Sequence, residues 1–197
     1  MKTIIWDVDD VLNDFMRVWL DDWSPKAGAP TTFSFDRLTR NPPHELLGIS
    51  PSEYLASIDD FRLSGRAASL SPSPQIVNWF RRHGDKCHNV ALTATPLCAG
   101  HVCAEWVMRH FGRWIRSFNF VPSRRPADCS AQFHADKSDF LGWWGKADMV
   151  VDDKEENIAG ALALGIRAAL VPQPWNHSAR TLTETLDAIT EFVEEVD

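Results

Sequence analysis

The chain has 197 residues, enough for one core domain with a small insertion, and its 44% hydrophobic and 24% charged residues are those of an ordinary globular protein. No apolar run approaches the roughly 18 residues that cross a bilayer, which argues against membrane insertion. The net charge of −7 argues against holding a long nucleic acid through its phosphates, although a small anion can still be bound by a local cation.

The first element, Ile4-Ile5-Trp6-Asp7-Val8-Asp9-Asp10, is a short apolar strand that opens into carboxylates. Alternate side chains of an extended strand share a face, so Asp7 and Asp9 can point the same way at the carboxyl end, where open parallel α/β sheets keep their sites. Two acids crowded there repel each other, which makes sense if a cation sits between them or if they divide the roles of nucleophile and proton carrier. The strand begins almost at Met1 and leaves no room for a signal peptide, so a cytoplasmic protein is expected.

An amphipathic helix follows over Asp14 to Trp23, with Phe15, Val18, Trp19 and Trp23 at helical spacing, and the stretch from Pro25 to Pro30 ends it. Asp10 and Asp14 read as turn and helix N-terminal residues, where carboxylates suit the helix dipole. From Thr31 to Leu70 the chain shows short helical pieces and a capping-box start at Ser50-Pro51-Ser52-Glu53, with no strand of the βαβ type. Residues 17–72 are expected to form a helical cap insertion, leaving 1–16 and 73–197 as the core.

The α/β rhythm resumes with a helix from Pro74 through Phe80 stopped at Gly84, a strand over His88 to Thr93, and a helix over Gly100 to Phe111. A strand over Ile115 to Val121 and a Pro/Arg/Ser loop lead to Asp136-Lys137-Ser138 and a helix through Trp144. Next come a buried strand, Ala147 to Val151, ending in Asp152-Asp153, a helix from Ile158 to Leu164, a strand over Ala168 to Val171 and a last helix over Thr181 to Val196. Alternation of this kind predicts a doubly wound parallel sheet with right-handed crossovers. Cys87, Cys98, Cys103 and Cys129 form no CxxC pair and read as reduced, partly buried thiols, and the nine Trp read mainly as packing residues.

The topology would gather Asp7 and Asp9, Thr93, Lys137, and Asp152-Asp153 at one sheet edge. In that order they resemble the four motifs of the haloacid dehalogenase-like superfamily, across the whole core. The resemblance implies a Rossmann-like core with a cap after the first strand, and a magnesium-dependent phosphomonoesterase acting through an aspartyl-phosphate. It implies Asp7 as nucleophile, Asp9 as general acid and base, and Thr93, Ala94 and Lys137 as holders of the phosphoryl oxygens. Magnesium would take the Asp7 carboxylate, the Asp9 main-chain carbonyl and one of Asp152 and Asp153, with the family pattern preferring Asp153 and making Asp152 its neighbour. Thr95 shares strand parity with Thr93 and competes for the phosphate role.

Finer features resemble the 5'(3')-deoxyribonucleotidase group: the run through Asn13-Asp14-Phe15, the helix end from Glu105-Trp106 to His110-Phe111-Gly112, Asp136-Lys137-Ser138, and Pro172-Gln173-Pro174-Trp175-Asn176. They imply a (deoxy)nucleoside monophosphate as substrate, with Phe15 against the base. The alternative is a phosphatase or phosphotransferase for another small phosphorylated metabolite such as a sugar phosphate. A non-catalytic binding protein of the same fold would be expected to have lost one of the motif acids, all of which are present. Oligomeric state, including a homodimer, is open.

Overall fold

The computed structural model describes residues 1–26, 33–123, 125, 131 and 133–195. Five parallel strands, β1 (Thr3–Trp6), β2 (His88–Thr95), β3 (Ile115–Pro122), β4 (Met149–Asp152) and β5 (Arg167–Leu170), form one sheet in the order β3-β2-β1-β4-β5. β1 is central, with Trp6 opposite Ala91 of β2 on one side and Val151 of β4 on the other. The strand order reverses between β1 and β4, which opens a crevice beyond their carboxyl ends.

Strand alternation sorts the core into two layers. Ile4, Trp6, Ala91 and Val151 join a cluster with α5 (Pro74–His83), α6 (Gly100–Phe111) and α9 (Leu182–Glu194), whereas Ile5, Val90, Leu92 and Val150 pack with α7 (Lys137–Trp144) and α8 (Glu155–Ala163). Trp6 anchors the first layer: its ring lies 5.1 Å from Trp79 and 4.9 Å from Phe80, and its Nε1 donates to Asn89 Oδ1 at 2.9 Å. Truncating a buried ring of this size typically costs about 3–5 kcal/mol.

Between β1 and β2 run α1 (Phe15–Lys26), α2 (His44–Leu47), α3 (Pro51–Arg62) and α4 (Gly65–Ala68). α1 passes through Pro25 to Lys26 instead of stopping before it, because a proline this close to the end forfeits little of the helical ladder. The expected capping box on α3 is present, with Ser50 accepting from Glu53 N and Pro51 in the first turn. Trp19 meets Tyr54 edge-on at 5.4 Å and Phe15 meets Phe61 at 5.2 Å, so apolar packing runs unbroken from α1 and α3 into the larger core layer.

Among the described residues three helix ends use glycine in the left-handed region, Gly48 after α2 (φ 67°), Gly145 after α7 (φ 64°) and Gly165 after α8 (φ 75°). Gly84, expected as such a stop, is instead right-handed (φ −61°) and is small for a different reason: a Cβ there would lie 2.8 Å from the Trp114 ring. Among the described residues Cys87, Cys98 and Cys103 are free thiols, and Cys129 lies outside them. No helix of the described residues is long and apolar enough to cross a membrane.

Candidate active site

Asp7 extends the β1–β4 ladder by one residue, its N–H donating to Val151 O at 2.9 Å, which fixes it at the carboxyl end of the central strand. The chain then turns sharply. Asp10 takes a left-handed conformation (φ 61°), tolerated by Asp better than by most residues, and its N–H donates to Asn13 Oδ1 at 3.2 Å. The same Asn13 oxygen accepts from Phe15 N (3.0 Å) and Asp10 Oδ1 accepts from Met16 N (2.8 Å), satisfying free donors at the start of α1. Asp14 is exposed at that helix start, as a dipole-facing carboxylate should be.

Lys137 enters from the first turn of α7, which Asp136 caps by accepting from Asp139 N. Its Nζ reaches Asp7 Oδ2 at 2.9 Å and Asp152 Oδ2 at 2.7 Å. Asp152, the last residue of β4, commits both oxygens: Oδ1 accepts from Lys154 N (2.9 Å), Oδ2 from Lys137, and the Asn157 amide donates to each. Asp153 Oδ2 accepts from Trp175 Nε1 at 2.8 Å, and its carbonyl accepts from Asn176 at 2.8 Å.

Burial pushes the Asp7 carboxyl up to about 6; Lys137 pulls the other way, and Asp152 and Asp9 add to the rise. Burial, then the charges of Asp152 and Asp7, hold Asp153 well above the usual carboxylate range, and burial with the Asp153 charge does the same for Asp10. Burial disfavours a charged Lys137, but Asp152 and Asp7 together outweigh it and the net direction is upward. Oxygens of Asp7, Asp152 and Asp153 lie within 4.8 Å of one another. A set of buried carboxylates that repel one another suits a hard divalent cation such as magnesium; Asp7 and Asp153 reach the open space beyond the strand ends and fit it, whereas Asp152 is held behind Lys137.

These groups open on a cavity of about 220 Å³. Asp7, Asp9, Phe15, Thr93, Ala94, Lys137 and Asp153 all line it; Asp152 and Thr95 do not, and the buried Thr95 hydroxyl finds no partner among the described residues. The site thus brings together all but one of the expected side chains and holds Asp152 one layer behind. Phe15 is buried against Phe61 and under Arg62, so its ring serves packing against α3 as well as the cavity wall.

No protein-family model matches the chain, and no curated protein matches it in sequence. Solved structures do match. A haloacid dehalogenase-like family hydrolase from Streptococcus pneumoniae superposes with a TM-score of 0.63 over 98% of both chains at 14% identity. Protein tyrosine kinase A from Mycobacterium tuberculosis gives a TM-score of 0.63 over 98% of both chains at 17% identity. A predicted phosphatase from Clostridium acetobutylicum gives 0.58 over 96% of this chain and 98% of that one, at 14% identity.

The chain has the haloacid dehalogenase-like fold.

Several polar groups around the crevice of this haloacid dehalogenase-like fold escaped the reading of the sequence. Arg62 ends α3 and donates from Nη1 to Asp9 Oδ2 at 2.6 Å; Arg125, in the loop after β3, pairs with Asp59 of α3 and donates to Ser123 Oγ. Tyr54, Leu55 and Ile58 of α3 form an apolar wall of the cavity, and Asn157 of α8 lines it too. Trp175 and Asn176 belong to a motif noted for its resemblance alone, and with Gln173, which donates to Asp10 O at 2.6 Å, they bind the acidic turn and Asp153 together.

Proposed function

We propose that the protein is a magnesium-dependent phosphomonoesterase acting on small phosphorylated metabolites. The observation that carries this reading is the convergence of Asp7, Asp9, Thr93, Lys137 and Asp153 on one cavity. Asp7 attacks phosphorus and its carboxylate oxygen becomes bonded to the phosphoryl group; the ester oxygen departs with its electron pair and takes a proton from Asp9. A water then attacks the aspartyl-phosphate, Asp9 removes its proton, and phosphate leaves with Asp7 restored. Lys137 and the Thr93 hydroxyl, with Ala94 beside it, hold phosphoryl oxygens through both steps. The Asp7 and Asp153 carboxylates and the Asp9 carbonyl would hold magnesium, which would neutralise charge on the transferring group. Asp152 keeps Lys137 in place from behind.

The division into a core and a cap at residues 17–72 belongs to the same proposal, with α3 as the substrate-facing wall. A nucleoside monophosphate is the finer reading, supported by the Phe15 ring at the cavity. The volume of about 220 Å³ lies below the ~300 Å³ at which drug-sized pockets begin, which favours a smaller ester such as a sugar phosphate. Since a kinase shares the fold, transfer of the phosphoryl group to an acceptor other than water is the rival reaction.

The test is a panel of phosphorylated metabolites, including deoxy- and ribonucleotides and sugar phosphates, assayed with magnesium and with EDTA beside Asp7→Asn, with products identified. Free phosphate from the wild type, dependent on metal and lost by several orders of magnitude in the variant, is the expected result. Undiminished turnover by Asp7→Asn would refute the mechanism, and phosphorylated acceptors in place of free phosphate would establish the transferase.

A further inference from the structure

The acids of the site differ in what holds them. Asp7 accepts from Val8 N and Lys137, Asp10 from Met16 N, Asp152 from Lys154 N, Asn157 and Lys137, and Asp153 from Trp175. Asp9 stands apart: among the described residues, the hydrogen bond to its carboxylate comes from Arg62, 53 residues away on α3. The pair is enclosed, the Arg62 side chain 13% and the Asp9 side chain 18% exposed, and the guanidinium lies over the Phe15 ring at 4.4 Å from its centroid.

α3 is docked at a second point one turn earlier, where Asp59 pairs with Arg125 of the loop after β3. The apolar wall of Tyr54, Leu55 and Ile58 therefore sits on the same docked helix as the residue that meets Asp9. Beside the pair lies a second, mostly apolar cavity of about 30 Å³, where Arg62, Asp9, Asn13 and Cys103 meet Val8, Leu70 and Trp106, and the Arg62 Nε is buried with no partner among the described residues. Space of that size admits a water, which would satisfy the remaining donor.

We propose that Arg62 is a positioning residue for Asp9, coupling the seating of α3 on the leaving group to the aim of the proton carrier. The inference rests on the phosphomonoesterase reading given above. It separates from a purely structural role through the chemistry of the leaving group. An alkyl ester departs as a strongly basic alkoxide and needs the proton of Asp9. p-Nitrophenolate departs with its electron pair and needs none, whereas the water that later attacks the aspartyl-phosphate must in either case give a proton to Asp9.

The experiment compares wild type, Arg62→Gln and Arg62→Lys on p-nitrophenyl phosphate by rapid mixing and on the best alkyl phosphate of the panel in steady state. Arg62→Gln should release about one equivalent of p-nitrophenolate in a burst, then turn over slowly, and should lose roughly 10²-fold in kcat on the alkyl ester with KM changed far less. Arg62→Lys should recover part of the loss. In an Asp9→Asn background, Arg62→Gln should cause no further loss, since the residue it acts through is already gone. A wild-type enzyme whose Arg62→Gln form shows no burst and loses equally on both esters, or whose Arg62→Gln loss adds in full to that of Asp9→Asn, would overturn the proposal while leaving the phosphomonoesterase intact. Absence of phosphoester turnover in the wild type would remove the reading beneath it and the proposal together.

Discussion

Replacing Lys137 with Met keeps most of the buried stem and deletes one charge. In the wild type the ammonium lies 2.9 Å from Asp7 and 2.7 Å from Asp152, with the three side chains 4%, 9% and 1% exposed, so water screens the cluster little. Deleting one partner of a buried ion cluster strands the other charges and costs about 3–5 kcal/mol. The pH dependence follows from Asp7. Its folded value of about 6 lies above the ordinary 3.8, so between those values the folded protein keeps a proton that the unfolded chain has released. Stability is therefore full below the lower value and lost as pH rises toward the upper one. Lys137 is the largest influence pulling Asp7 down, so its removal raises Asp7 further and extends the loss beyond pH 6. Urea unfolding in EDTA should show Lys137→Met destabilised by about 3–5 kcal/mol at pH 8 and by distinctly less at pH 5, where a protonated Asp7 no longer repels Asp152. An equal deficit at both pH values, or one below about 1 kcal/mol at pH 8, would refute this account of the cluster.

Asp10→Asn keeps a side chain that tolerates the left-handed turn and can still accept from Met16 N, but removes an acid held well above its usual range; without metal it should stabilise the protein at pH 8 and leave its stability unchanged near pH 4. Thermal unfolding at the two pH values checks it, and a pH-independent difference would contradict the assignment. Saturating magnesium, at about 100 times its dissociation constant, should add ~2.7 kcal/mol, a rise of about 5–10 °C in Tm for a chain of this size. Asp153→Asn should abolish that rise, and a shift preserved in the variant would move the metal elsewhere.

Much of the fold was legible because its signals are local. β1 is a continuous apolar run, as a strand covered on both faces must be, and α3 announces itself by Ser50, Pro51 and Glu53. Asp7, Thr93, Lys137 and Asp152-Asp153 were legible through their order and their places at the ends of predicted strands or the start of a helix, though no spacing distinguishes Asp152 behind Lys137 from Asp153 on the cavity. That distinction depends on hydrogen bonds from Asn157 and Trp175 formed only after folding. The pairs Arg62–Asp9 and Arg125–Asp59, separated by 53 and 66 residues, leave no periodic trace at all. Gly84 misled for a related reason: a glycine near a helix end suggests a left-handed stop, whereas here it makes room for a tryptophan brought in by the tertiary structure.

The charge balance of the crevice explains why it is costly to fold and suited to its proposed work. Asp7, Asp9, Asp10, Asp152 and Asp153 gather around Lys137 and Arg62, which pair with them directly, with Lys154 and Arg125 farther along the cavity wall. Burial and mutual repulsion raise Asp7, Asp10 and Asp153, so each weakens the metal-free fold at neutral pH in a way that neutral side chains of similar size would not. The local hydrogen bonds only hold these acids in place: Asn13 and Gln173 brace the turn and Trp175 and Asn176 brace Asp153, none bringing positive charge. A divalent ion would relieve that surplus and, by drawing Asp7 and Asp153 into their ionised forms, would turn the same electrostatic strain into an attacking carboxylate.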